Sequence, residues 1–177
     1  MTTIFALFTE KRFGYDQKTI GLVFSAIGLV GAIVQGGLLR RLLKRQSEKS
    51  LAVAGVLMLT VGMALLPFVG GLATLLIVCS IIGIGNSLVT PTLNGLASRS
   101  AERSWQGRVT GLMQSSGSLA RCIGPFIAGR LLFMDVDKLG HPLAYYGRTP
   151  CWAASGILVI ALVLTVQLPA KPITATT

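Results

Sequence analysis

The chain has 177 residues, 52% of them hydrophobic and only 12% charged, and its mean hydropathy is +0.71. Soluble domains carry about 25% charged residues, so this composition excludes an ordinary globular domain and describes an all-α membrane protein built from spans of about 20 residues. The formal charge of +10 would point to nucleic acid in a soluble protein. Here the basic residues gather at the ends of apolar runs, where lipid head groups and topology account for them, and no nucleic-acid partner is expected.

MTTIFALFT, residues 1–9, reads as the last two turns of a span whose beginning is absent, and so as the mark of a truncated or late-started chain. It has no basic n-region and is too short for a signal sequence. Residues 10–18 form a polar turn around Gly14, with Asp16 as N-cap of the next helix. The first complete span is 19–39, where Gly21, Ser25, Gly28, Gly31 and Gly36 suit close helix packing. Residues 40–50 are expected to be a basic loop with five Lys/Arg against one Glu. The second span, 51–69, has almost nothing polar beyond Thr60 and is expected to face lipid or support the bundle. Gly70 and Gly71 allow only a very short turn, so the second and third spans are an antiparallel hairpin. The third span, 72–97, collects Asn86, Thr90 and Asn94 at a repeat of four residues on one helical face. A pathway-facing stripe and interhelical hydrogen bonding are both open readings of it.

The fourth span, 107–133, organises the rest. Arg121 lies near its middle, thirteen residues from Arg108 and nine from Arg130, so roughly 20 Å and 13 Å from charges that reach either surface. A cation at that depth costs about 3 kcal/mol on insertion scales, and it is expected to face protein or a watery cavity. Gln114, Ser115 and Ser118 lie one to two turns away, and a solute path lined by Gln114, Ser118 and Arg121 stands beside a purely structural arginine bonded to backbone carbonyls. Gly117, Gly124, Pro125 and Gly129 are expected to set helix bend, hinge and packing. No Asp or Glu falls within any of the five complete spans, so a carboxylate partner for Arg121 is not expected from them. Residues 134–149 form a mixed-charge loop, 150–168 the fifth span, and PAKPITATT a polar tail.

Counting Lys/Arg on alternate sides orients the chain. Arg40, Arg41, Lys44, Arg45, Lys49, Arg99, Arg103, Arg108 and Lys171 fall on one side, and Lys11, Arg12, Lys18, Arg130, Lys138 and Arg148 on the other, with four of the six acids. The excess places the two basic segments and the C-terminus in the cytoplasm, with a multi-pass protein in the cell (inner) membrane. Trp105 near one face, and Tyr15, Tyr145, Tyr146 and Trp152 near the other, fall where aromatic belts lie. Cys79, Cys122 and Cys151 lack CxxC spacing, and the single histidine, His141, is in a loop. No metal site, cofactor, phosphate-binding loop or nucleophile with a paired base is therefore expected, and the chain does not read as an enzyme.

Aligning 21–33 (GLVFSAIGLVGAI) with 111–123 (GLMQSSGSLARCI) matches five of thirteen positions, and the two spans run in opposite directions, as an inverted repeat of three helices requires. In that register Arg121 falls opposite Gly31.

Three stretches in order resemble the C-terminal half of a major facilitator superfamily transporter of the drug-efflux type related to tetracycline exporters. FGYDQKTIGLVFSAIGLVGAI resembles the entry to the eighth helix of such proteins. GGLLRRLLKR, with Gly36, Leu38, Arg41, Lys44 and Arg45, resembles the family's loop motif, although Arg40 stands at the motif's aspartate and Leu43 at its second glycine. SLARCIGPFIAG resembles the Gly-Pro helix motif associated with antiporters. The resemblance implies half of a twelve-helix fold, five spans and a fragment of a sixth, that rocks against a missing N-terminal half or a second copy. It also implies a lipid bilayer as surroundings and a small amphipathic solute or drug moved by alternating access. A non-transporting scaffold subunit and an oligomeric channel are the rival expectations.

Overall fold

The computed structural model describes residues 9–10, 13–102, 104–137 and 147–167, with side chains left aside at 134–137. The expectations placed on residues 1–8, on most of the 134–149 loop with His141, Tyr145 and Tyr146, and on the tail from 168 lie outside the described residues.

Among the described residues, helices fill 19–39, 51–68, 72–97, 107–133 and 150–167. They are α1 (Gln17–Ile33), α2 (Leu39–Arg45), α3 (Glu48–Leu65), α4 (Leu72–Ser100), α5 (Gln106–Asp137) and α6 (Arg148–Gln167). Gly14 has φ +65°, which only glycine adopts without strain. Its N–H donates to the Glu10 carbonyl (2.8 Å), closing the preceding turn. Asp16 then caps α1, its carboxylate accepting from the Gln17 N–H at 2.7 Å.

The loop expected at 40–50 is instead helix as far as Arg45. One π turn, Val34–Leu38, joins α1 to α2 without a break, and only Gln46 and Ser47 separate α2 from α3. Leucine, lysine and arginine are good helix formers, and nothing in LRRLLKR breaks the backbone ladder. Ser47 ends the link by capping α3, accepting from the Ser50 N–H at 3.2 Å. Gly36, Leu38, Arg41, Lys44 and Arg45 are thus positions on a helix and not on a loop.

Four helical stretches are long and apolar enough to cross a bilayer: Gln17–Arg45, Glu48–Phe68, Leu72–Ser100 and Arg148–Gln167. α5 is the longest helix, at 32 residues, yet its Gln114, its serines and Arg121 keep it out of that group. Such a helix enters a membrane in the company of others.

α3 sits at the centre, packed broadly on α4 and α6; α1 lies along α4, while α5 touches α4 and α6 more lightly. The α3–α4 hairpin turns through a short 3-10 segment, Leu66–Phe68, and Val69 to Gly71. Its glycines bring the two backbones together. A Cβ added at Gly55 would sit 2.9 Å from the Gly85 carbonyl oxygen, and one added at Gly85 would sit 2.8 Å from that of Gly55. One turn and more away, a Cβ at Gly62 would collide with Ile82. In membranes such small-residue seams replace the hydrophobic drive that holds soluble helices together. The glycines of α1 behave differently: only Gly31 meets a neighbour, Ser87 Oγ at 3.2 Å, and Gly21, Gly28 and Gly36 meet nothing within 4 Å. The close packing expected of α1 therefore lies in α3 and α4.

The core follows this arrangement. Val23, Leu66, Val69, Leu75, Val78, Cys79 and Leu132 form one cluster, and Val34, Leu39 and Leu88 a second. Buried hydroxyls bond their own helices, Thr60 to the Val56 carbonyl (2.8 Å) and Thr92 to that of Leu88 (2.6 Å), so these two are satisfied without a partner helix. Glu48 and Arg99 pair at 3.1 Å across one end of the hairpin, above Gly95, whose added Cβ would sit 3.3 Å from Glu48 Oε1.

Candidate functional site

α5 presents three faces. Gln106, Val109, Met113, Gly117, Gly124, Ala128 and Leu132 are at least half-buried, and their steps of three, four and seven residues make a single narrow stripe against the bundle. Leu112, Leu119, Ile123, Phe126 and Phe133 form an exposed apolar face, Leu112 at 71% and Phe126 at 77%. Between them runs an exposed polar face with Gln114, Ser118, Arg121 and Pro125 at spacings of four, three and four. Hydrocarbon suits the apolar face. The polar one requires water or protein.

Arg121 is the centre of that polar face. Its Nε donates to the carbonyl of Gly117, one turn back on the same helix, at 3.0 Å. Glycine gives the guanidinium its room there, because a Cβ at 117 would stand 3.1 Å from Nη2. One turn forward, Pro125 has no N–H to bond the Arg121 carbonyl. The guanidinium thus folds over its own backbone. The single ion pair among the described residues is the distant one between Glu48 and Arg99, and a planar guanidinium with open Nη donors is suited to take an anionic oxygen pair. The shelter expected for Arg121 is not supplied by the described helices, since residue 121 is exposed. Ser115 is occupied locally, its hydroxyl donating to the Gly111 carbonyl at 2.8 Å.

The stripe on α4 is also open. Asn86 and Thr90 are exposed and Asn94 is half-buried, while Gly83, Gly85, Ser87, Leu88 and Thr92 turn inward. α4 and α5 are in contact, yet among the described residues no hydrogen bond joins Asn86, Thr90 or Asn94 to Gln114, Ser118 or Arg121. A Cβ at Gly124 or Gly129 would meet nothing within 4 Å, so among the described residues neither glycine serves a close backbone approach, although both are half-buried. The proposed repeat also joins unlike surroundings: Gly31 lies against α4, while its counterpart Arg121 is exposed.

Three features were missed in reading the sequence: the Gly55–Gly85 seam, the Glu48–Arg99 pair and the π turn. Gly55 and Gly62, seven residues apart on one helical face, were the available signal for the first. The ion pair joins the two ends of a hairpin already recognised. Nothing local marks the π turn.

Fold and site together define an integral membrane protein, a helical bundle in which one polar helix accompanies apolar ones. The chain belongs to the Major Facilitator Superfamily, whose family model matches residues 1–125. It is 26% identical over 174 residues to the class D tetracycline resistance protein of Salmonella ordonez, covering 98% of this chain and 42% of that protein. It is 28% identical over 136 residues to the quinolone resistance protein NorA of Staphylococcus aureus (strain Mu50), covering 76% and 34%. With the class B tetracycline resistance protein of Escherichia coli it shares 27% over 125 residues, covering 71% and 31%. The chain therefore spans well under half the length of these curated relatives.

Proposed function

We propose that this chain works as the second half of a drug-efflux transporter and moves a small amphipathic solute by alternating access. The observation that carries this reading is the exposed polar face of α5, with Arg121 hooked onto Gly117 and its Nη donors open, in a chain whose relatives are named for resistance to tetracycline and to quinolones. Asn86, Thr90 and Asn94 of α4 belong to the same path. The facing wall comes from an N-terminal half or from a second copy, and rocking of the two halves exposes the midplane site to either side. The basic end faces the cytoplasm by the excess of cations there.

The test is to co-express the chain with the N-terminal half of the class D tetracycline resistance protein and to measure tetracycline uptake into energised inverted vesicles. Uptake should require both halves. Loss of a charge-assisted hydrogen bond is worth about 1.5–3 kcal/mol, so Arg121→Ala should lower uptake roughly tenfold or more, and Arg121→Lys should recover part of it. Full uptake by Arg121→Ala would remove Arg121 from the path. Solute conductance by the chain alone would favour the oligomeric channel, and absence of uptake with both halves correctly inserted would favour the scaffold.

A further inference from the structure

The π turn at Val34–Leu38 sets the direction of everything after it. Val34 and Leu39 are both buried, in one cluster with Leu88, and Val30 and Leu42 pack against it. Five residues separate Val34 from Leu39, which in a regular α-helix turns the second about 140° away from the first. The wider π turn brings Leu39 back beneath Val34. With Leu39 and Leu42 held against the bundle, Arg40, Arg41, Lys44 and Arg45 occupy an arc of about 140° on the opposite side of α2. All four are exposed.

These four cations lack an acid to neutralise them. The acids of this end are Glu48, which is engaged by Arg99 at 3.1 Å, and Glu102, which lies on the link between α4 and α5. No other ion pair occurs among the described residues. Beside the cations, Leu38 and Leu43 are 45% and 39% exposed. Exposed leucines next to a row of cations at the end of a membrane-crossing helix match the boundary between acyl chains and charged head groups.

We infer that the arc formed by Arg40, Arg41, Lys44 and Arg45 seats the head groups of anionic phospholipids in the leaflet on that side, with Leu38 and Leu43 against their acyl chains. Charge complementarity selects the partner: several cations immediately beyond a membrane helix attract an anionic leaflet, and the attraction fades within a Debye length. The arc does not depend on which solute is carried, or on whether one is carried at all.

The purified full chain in neutral detergent, offered equal amounts of phosphatidylglycerol and phosphatidylcholine, tests this by native mass spectrometry of the lipid retained. Phosphatidylglycerol should be held preferentially, and replacement of all four cations by Gln should lower its retention at least about tenfold. Arg40→Lys with Arg41→Lys and Arg45→Lys should keep it, as should the control Lys18→Gln with Arg130→Gln at the opposite end. Should the fourfold variant lose its helical circular dichroism, the pairs Arg40→Gln with Lys44→Gln and Arg41→Gln with Arg45→Gln carry the test, each expected to lose about threefold. Undiminished retention in variants that keep their helix content, equal retention of phosphatidylcholine, or equal loss in the control would overturn the assignment. Displacement of phosphatidylglycerol by inorganic phosphate at matched concentration would also overturn it, since the arc would then be a site for the free anion.

Discussion

The α3–α4 hairpin and helix α5 are made of similar material and end in opposite situations. Both contain glycines and small polar residues within long helical runs. In the hairpin, Gly55 and Gly85 draw two backbones to the limit of contact, and hydroxyls such as Thr60 are spent on their own helix. In α5, a Cβ at Gly111, Gly124 or Gly129 would meet nothing within 4 Å, and among the described residues Arg121 bonds only its own backbone. Small residues are therefore not themselves evidence of a finished interface. They permit one, and a partner of matching shape has to be present for the approach to happen.

The most forceful way to break this contrast is to fill the seam. Gly85→Leu should separate α3 from α4 and abolish a cooperative melt in detergent, because overpacking costs about 1–3 kcal/mol even where neighbours can shift, and here the neighbour is the Gly55 backbone. Gly111→Leu, the matched change at an exposed position of α5, should leave the melting temperature where it was. Equal damage from both would mean that α5 is as closely packed as the hairpin. Next in size, Leu75→Ala empties a fully buried site (0% exposed) and should cost about 2–5 kcal/mol, whereas Leu112→Ala on the exposed face of α5 should be nearly silent in the same melt.

A smaller effect is expected at the hairpin's end. Glu48→Gln removes the pair with Arg99, whose side chain is 69% exposed, and should lower stability by no more than about 1 kcal/mol, with most of the difference vanishing in high salt. A salt-independent loss would show that the pair is shielded from solvent. The least disruptive test concerns the open face. Ser118 lies exposed on the same face as Arg121. With Cys79→Ala, Cys122→Ala and Cys151→Ala in place, a membrane-impermeant maleimide should label Ser118→Cys in vesicles, since the thiol reacts through its hydrated thiolate. Absence of labelling there, with normal labelling after detergent is added, would place this face in lipid and remove the solute path.

Much was readable in advance. The lack of charge required a membrane protein, Gly70 and Gly71 left room only for a tight hairpin, and Asp16 announced the start of α1 in the position where it caps that helix. The basic stretch 40–50 reads as a loop, although it is helix as far as Arg45, because cations at a span's end look alike whether the chain coils or continues; only the absence of a breaker in LRRLLKR speaks for helix. The seam at Gly55 and Gly85 is faint in the sequence because the run 51–69 has little that is polar beyond Thr60 to mark one of its sides, whereas the richer glycine pattern of α1 belongs to a helix the fold leaves largely open.

Composition and local propensity alone determined how many long helices form, where they begin and which of them is too polar to stand alone in lipid, because these depend on each residue's own transfer cost and backbone preference. Which glycines touch, how the π turn phases the four cations of α2, and which side of α5 stays open were decided by tertiary packing. Lipid and protein interior are nearly equally apolar, so a transmembrane helix carries little hydrophobic contrast to say which side meets its neighbour. That choice rests on the fit of one surface to another.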